Sequence, residues 1–359
     1  NLGFITESVK KSDSFIIYGA QILAASAYTA IKELCGISPR FFAVSDRTDN
    51  PDEIDGIKVI TLNEYAAGRN ADPGYTEELV LIAAPAYFSG EIERTLEENG
   101  IRTCITIDND RENELMREYY LKTDPLKIPA ESRHVCDGIR IYLAKTCHDK
   151  PLKEEYTYDE CVYAVQAGRA LADEKISELT DDTGDNISLK NADYCEMTVT
   201  YWVWKNTVSD YKGICHYRRL WRPDDINVHD GYDVYLPYPN IYYPGAYVHH
   251  RRFIDEGLWQ HFIAFMNDYD EKLGRMFNEF ENGRYMSNYN MLVAKQDIFD
   301  SYAAWIFDIL FCFEKYLSDR NVRTPKRYMG FFAENLTPFY FMYLHKEIRT
   351  AYTGKDTVI

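Results

Sequence analysis

From Phe15 onward the chain alternates short apolar runs with longer segments of helical spacing. Phe15 to Tyr18 is an apolar strand closed by Gly19, and the alanine-rich Gln21 to Leu34 has the period of a helix. Arg40 to Ser45 reads as a second strand with Asp46 at its tip, and Ile57 to Ile60 as a third after the turn Asp55-Gly56. Leu79 to Ala84 is a fourth, very apolar strand, followed by a helix from Ser89 to Asn99; Arg102 to Ile107 is a fifth, ending at Asp108. Continuous apolar strands alternating with helices predict a parallel sheet covered on both faces, an α/β domain of the Rossmann-like kind. A helix over Arg111 to Tyr120 closes it. Lys122 to His134, with Pro125 and Pro129, reads as a linker. The expected division is residues 1–124, a linker at 125–138, and a second α/β domain over 139–359.

The second domain opens with a strand, Ile139 to Ala144, and the loop Thr146 to Pro151. An acidic, glycine-containing loop follows at Asp181, Asp182, Gly184, Asp185 and Asn186, then a helix over Asn191 to Asn206 that carries Tyr201, Trp202 and Trp204. Asp210 to Cys215 reads as a strand ending in His216-Tyr217-Arg218-Arg219, and Gly231 to Tyr238 as a strand interrupted by prolines. Leu258 to Phe280 is helical by spacing, Arg284 to Val293 runs from a polar turn into a strand, and Lys295 to Tyr316 is a long amphipathic helix whose apolar side is core. Arg327 to Phe341 is strongly apolar apart from Glu334.

Composition narrows the classes. The net charge of −17 argues against a nucleic-acid partner, which needs a basic face. The eight cysteines are scattered without a C-x-x-C pair, so a disulfide framework or structural zinc is not expected, and the compartment reads as reducing. No run is long and apolar enough to span a bilayer; the best, Tyr302 to Phe313, is short and interrupted by Asp308. Thirty tyrosines suit a core with polar edges and also sites that grip sugar rings.

Within this acidic chain two features stand out. Adjacent arginines at a strand end, Arg218 and Arg219, need an anion partner: a diphosphate, or the chain's own carboxylates in surface ion pairs. Glu334 sits inside an apolar segment, where a carboxylate must be paired or raised in pKa, so it reads as a general base or as the partner of an arginine. His148 and Lys150 leave the first strand of the domain, where open α/β sheets bind ligands; nucleotide contact and a solvated turn remain equal readings. Tyr247, His249 and Arg251 lie in a Tyr/His/Arg-rich stretch. Its adjacent histidines, His249 and His250, point apart, which disfavours a metal site and favours an acceptor or phosphate loop. In the first domain the turn Gly19 to Ala24 lacks the second glycine of a dinucleotide fingerprint, so Gly19 and Asp46 read first as a turn former and a strand cap.

The runs Asp181 to Ser188, Tyr194-Cys195-Glu196, Tyr201 to Asn206 and Gly213 to Arg219, with the later Tyr289-Asn290-Met291, Trp305 to Leu310 and Gly330 to Leu336, resemble the DUF4422 family over roughly residues 139–345. That family is similar to GT-A glycosyltransferases of bacterial capsule and exopolysaccharide synthesis. The segment Phe41 to Tyr65 resembles the small Rossmann-like domains that accompany sugar-modifying bacterial enzymes. The resemblance implies an N-terminal Rossmann-like accessory domain followed by a GT-A-like domain. It implies transfer of a sugar, with galactofuranose a candidate, from a UDP-sugar donor to a glycan or lipid-linked glycan acceptor, in the cytoplasm or peripherally at the inner membrane. Two departures stand out. The strand end that commonly carries a metal-binding Asp-x-Asp carries His216 to Arg219 instead, so no metal ligand is assigned, and the acidic loop at Asp181, Asp182 and Asp185 is open to two roles, holding a divalent ion or contacting the uridine or the sugar hydroxyls. Asn335 stands where the family tends to carry a basic residue. The expected roles are then diphosphate stabilisation by Arg218 and Arg219 with His216 assisting, and a base drawn from Glu334, Asp233 and Asp182, in that order. A donor cradle would come from Asp181, Asp185, Asn186, Trp202 and His148, and acceptor contacts from Tyr247, His249 and Arg251. The alternatives are a nucleotide-dependent oxidoreductase or epimerase centred on Gly19 and Asp46, and a noncatalytic sugar-binding scaffold.

Overall fold

The computed structural model describes residues 3–71, 77–130, 138–152 and 156–358. The chain forms two compact units, Asn1–Pro125 with Asn240–Gly245, and Leu126–Pro239 with Ala246–Ile359. Half of the expected linker 125–138, residues 131–137, lies outside the described residues.

In the first unit β1 (Phe15–Tyr18), β2 (Phe42–Val44), β3 (Glu53–Ile54), β4 (Ile57–Thr61), β5 (Leu79–Ile82) and β6 (Cys104–Thr106) form one sheet in the order β3-β4-β2-β1-β5-β6. Every neighbouring pair is parallel except β3 with β4. Helices α1 (Phe4–Lys11), α2 (Ile22–Cys35), α3 (Leu62–Ala71), α4 (Ala86–Glu98) and α5 (Asn109–Thr123) accompany it. Ile16, Tyr18, Ala43, Leu62, Val80, Ile82 and Leu96 form a core around the central strands. The expected Rossmann-like alternation is therefore present, with the order reversal between β1 and β5. Gly19 marks that point. Its φ of +123° and the 2.3 Å that would separate an added Cβ from the Ala83 carbonyl oxygen exclude a side chain there. Residues 240–245, read from sequence as part of the second domain, group with the first unit, where the Ile241 N–H donates to Ser26 Oγ at 2.9 Å.

The second unit holds β7 (Ile139–Lys145), β8 (Val162–Gln166), β9 (Leu179–Thr180), β10 (Tyr211–His216), β11 (Arg219–Trp221) and β12 (Val234–Pro237). After β13 (Asn240–Ile241) of the first unit come β14 (Tyr285–Met286), β15 (Leu292–Lys295), β16 (Thr350–Thr353) and β17 (Lys355–Thr357). The main sheet runs β16-β12-β15-β10-β7-β8-β9, with β11 on β10 and β17 on β11. Strands β10, β7, β8 and β9 are parallel, whereas β15 runs against both β10 and β12. Side chains alternate across β10. Tyr211 and Cys215 enter a core with Ile141, Leu143, Tyr235 and Val293, while buried Lys212 turns to the other face and pairs with Asp300 at 2.8 Å.

Helices α6 (Asn191–Tyr194), α7 (Met197–Asn206), α8 (Tyr247–His250), α9 (Glu256–Tyr269), α10 (Glu271–Glu281), α11 (Gln296–Asp319) and α12 (Tyr328–Pro338) complete the unit. Two expected helices and one expected strand end differ from expectation. The helix expected over 191–206 breaks at Cys195, whose φ of 51° is left-handed, into α6 and α7. The helix expected over 258–280 breaks at Asp270, which is extended and caps α10 by accepting the Leu273 N–H at 2.8 Å. The strand expected to stop at His216 continues through a two-residue turn, Tyr217-Arg218, into β11, with His216 paired to Arg219. An acid and a cysteine at helix breaks, and arginines in a hairpin, leave no glycine or proline to announce them.

Candidate active site at the carboxyl edge of the second sheet

The parallel strands β10, β7, β8 and β9 end at His216, Lys145, Gln166 and Thr180, so the loops that follow them leave from one edge of the sheet. Open α/β sheets bind ligands along that edge. At about 4.8 Å per strand, His216 and Thr180 are roughly 14 Å apart across it.

At the β10 end, Arg218 and Arg219 are partly exposed. Among the described residues neither guanidinium makes a hydrogen bond or a close ion pair; Arg218 lies 5.1 Å from the Tyr217 ring centroid and Arg219 4.0 Å from that of Tyr289. The two arginines are thus held on aromatic faces with their donors uncommitted, instead of being spent on surface carboxylates. The loop after β7 packs beside them. Asp149 accepts the Thr146 N–H at 2.8 Å, and the Lys150 N–H lies 3.4 Å from Tyr217 Oη. Burial raises the Asp149 pKa against the opposing hydrogen bonds from Thr146 and the weaker pull of Lys145 and Arg218. His148 is exposed in this loop.

Behind the arginines lies a polar cluster. His216 Nε2 stands 2.5 Å from the Tyr289 carbonyl oxygen and 3.7 Å from a Glu196 carboxylate oxygen. Burial lowers the His216 pKa, Glu196 opposes that and Arg219 adds to it. The ring is therefore neutral near pH 7 and donates its Nε2–H to the carbonyl. A neutral ring assists the arginines by hydrogen bonding and not by charge. Glu196 also accepts from Asn290 Nδ2 at 2.7 Å. Glu334 projects from α12 into the same field. Burial, then Glu196, push its pKa up to about 7 against the pull of Arg219 and Arg327. Gly330 lets α12 approach, since a Cβ there would sit 3.1 Å from Cys195 Cβ and Sγ. His249 is held neutral, with its pKa lowered to about 4 by burial and by Arg252 and Arg219; its ring packs on Phe253, which stacks on Phe331 of α12 at 5.1 Å.

Several expected site residues stand elsewhere. Asp233 begins β12 and is bound by Lys295 Nζ at 2.8 Å and the Arg349 N–H at 2.9 Å. Lys295 pairs with Tyr211, the first residue of β10, so Asp233 occupies the opposite edge from His216, roughly 16 Å away at 3.3 Å per residue. It is not part of this cluster. Asp181 is fully buried and accepts from the Gly168 and Arg169 N–H groups at 2.8 and 3.0 Å and from Ser188 Oγ at 2.5 Å. It fastens the ends of β8 and β9 and has no face for a ligand. Trp202 is buried against Tyr142 and donates to Thr183 Oγ1 at 2.9 Å, and Asn186 closes its own turn on the Ser188 N–H at 3.2 Å. These two shape the loop. Asp182 and Asp185 are exposed on it, and Asp185 accepts from Tyr201 Oη at 3.2 Å. Arg251 pairs with Glu256 at 3.1 Å and lies over Tyr247 on the surface. Glu196, Tyr289 and Asn290 belong to the cluster without having been singled out. Their only signal was membership of the two short motifs Tyr194-Cys195-Glu196 and Tyr289-Asn290-Met291.

The fold is one that a glycosyltransferase shares. The solved apo structure of the WbbM bifunctional glycosyltransferase is similar to this chain, with a TM-score of 0.52 and 25% sequence identity over 62% of this chain and 45% of that one. The present chain thus spans less than half the length of that protein. The chain belongs to the DUF4422 family, described as a domain of unknown function, whose model matches residues 143–346, more than half of its length. No curated protein matches it.

Proposed function

We propose that this protein is a glycosyltransferase that moves a sugar from a UDP-linked donor to a hydroxyl of a glycan acceptor. The observation that carries the reading is the pair Arg218 and Arg219, uncommitted at the sheet edge beside a carboxyl group whose pKa lies near 7. In this reading the two guanidiniums hold the diphosphate and offset the charge that builds on it as the glycosidic bond to the leaving group breaks. Glu334, in its ionised form, accepts the proton of the attacking hydroxyl; a base near pH 7 is matched to that task. His249, Phe253 and Phe331 offer the apolar wall against which an acceptor ring would lie.

GT-A enzymes commonly place a divalent ion on the diphosphate. Among the described residues no group of three or more His, Cys, Asp or Glu side chains could hold one, and the donor set at the β10 end is cationic. No step is routed through a metal here. The narrower expectations, UDP-galactofuranose as donor, a capsule or exopolysaccharide product and a lipid-linked acceptor at the inner membrane, rest on the family resemblance. Among the described residues no helix is long and apolar enough to cross a membrane.

Thermal-shift titration separates the classes. Stabilisation by UDP and UDP-sugars, with UDP release on adding acceptor glycans, supports the proposal. Stabilisation by NAD alone, or by no nucleotide at all, overturns it.

A further inference from the structure

One short segment touches three members of the cluster, Glu196, His216 and Arg219. Before β15 two consecutive non-glycine residues take left-handed backbone, Tyr289 at φ 81° and Asn290 at φ 50°. Asparagine tolerates that region, a bulky tyrosine does so rarely, and each such residue costs on the order of 1–3 kcal/mol unless its surroundings hold it. The holding contacts are those of the site. The Tyr289 carbonyl oxygen accepts His216 Nε2–H at 2.5 Å, and its ring carries the Arg219 guanidinium at 4.0 Å. The Asn290 side chain, 2% exposed, donates through Nδ2 to Glu196 at 2.7 Å and to the Gly330 carbonyl oxygen at 3.2 Å. Its Oδ1 stands 3.2 Å from Thr337 Oγ1, behind which Tyr302 Oη lies at 2.7 Å. The amide orientation follows from this chemistry. Reversed, its oxygen would face a carboxylate and a carbonyl, both acceptors.

We infer that Tyr289-Asn290 is the positioning element of the transfer site: a strained two-residue turn that sets Glu196, His216 and Arg219 relative to one another and to Glu334. The inference rests on the glycosyl-transfer reading and names residues that act through others. Neither residue takes a proton or holds the leaving group. Asn290 clamps the carboxylate that neighbours the base, while Tyr289 clamps the imidazole with its backbone and the guanidinium with its ring.

The test uses Asn290→Gly, which keeps the backbone conformation and deletes the amide, Asn290→Asp, which keeps the shape and replaces the donor to Glu196 with an acceptor, and Tyr289→Phe, which keeps ring and carbonyl. Both Asn290 variants should lose about 100-fold in kcat, the penalty of small misplacements, with a smaller change in the donor KM. A readout independent of turnover is the 15N spectrum of selectively labelled histidine. His216 should report a neutral ring protonated on Nε2 in wild type and Tyr289→Phe, and mixed tautomers in Asn290→Gly. If the Asn290 variants do not fold, Thr337→Val serves, since it loosens Asn290 from behind; about a tenfold loss in kcat is expected. Wild-type turnover and an unmoved His216 signal in Asn290→Gly, or in Thr337→Val where that stands in, would sink the inference and leave the transferase reading intact. If wild-type protein releases UDP from no UDP-sugar, the transferase reading fails, and the tautomer shift still decides whether the turn positions the cluster.

Discussion

Replacing Glu334 by glutamine keeps the side-chain shape and removes its proton equilibrium. In wild type the folded-state pKa is raised from the ordinary 4.5 to about 7, by burial first and by Glu196 second. At 1.36 kcal/mol per pKa unit this amounts to about 3 kcal/mol of differential stability. The sign follows from proton counting. Between pH 4.5 and 7 the unfolded chain has released the proton while the folded chain keeps it, so stability falls as pH rises through that window. The contribution is fully present below pH 4.5 and lost above about pH 7. The assay is urea denaturation followed by tryptophan fluorescence, because all five tryptophans, Trp202, Trp204, Trp221, Trp259 and Trp305, lie in the second unit and report its unfolding alone. The wild-type stability, measured relative to Glu334→Gln, should drop by about 3 kcal/mol from pH 4.5 to 7.5. UDP binding by the variant should stay within a few-fold of wild type while transfer is abolished. A wild-type minus variant difference that stays flat from pH 4.5 to 7.5 would refute the desolvated carboxyl, and normal transfer by the variant would remove it from the mechanism.

Arg219→Leu deletes charged donors and should weaken UDP binding about 10- to 100-fold by calorimetry, with a shallower salt dependence than wild type. Asp181→Ala leaves the Gly168 and Arg169 N–H groups unpaired in the interior; a loss of about 3 kcal/mol, or roughly 10 °C in the Tm of the second unit, should appear in a thermal melt. Asp233→Asn, at the far edge of the sheet, should leave transfer within about twofold and stability lower by at most about 1 kcal/mol.

What the chain discloses by itself follows from where the signal is local. The parallel strands of the first unit, such as Leu79–Ile82, are buried end to end and read directly as apolar runs. Arg218 and Arg219 were legible because two guanidiniums in a row demand an explanation wherever they fall, and Glu334 because a carboxyl stands out in an apolar helix. The partners of these residues were not legible. Glu196 lies behind a helix break made by a cysteine, and Tyr289 and Asn290 adopt left-handed backbone without a glycine to mark it. Asp181 misled for a general reason. An acid that ties down backbone N–H groups and one that contacts a ligand look alike in sequence, and only burial separates them. Asp233 misled because a strand's start and its end carry similar residues, and the direction of β15 decides which edge each belongs to.

That direction reaches further. A strand laid head to tail among its neighbours delivers its beginning where they deliver their ends, so the turn ahead of Leu292 arrives at the candidate site's edge without any long excursion of chain. The alignment of β15 on β10 therefore works as a gauge for the chemistry: slipping by one residue would turn Tyr289 and Asn290 to the wrong sides together. Gly213 guards that alignment from the middle of β10, since a Cβ there would lie 2.9 Å from both Ile141 Cγ1 and Val293 Cγ2. A single methyl group at the centre of the sheet would be felt first at the turn that carries Tyr289 and Asn290.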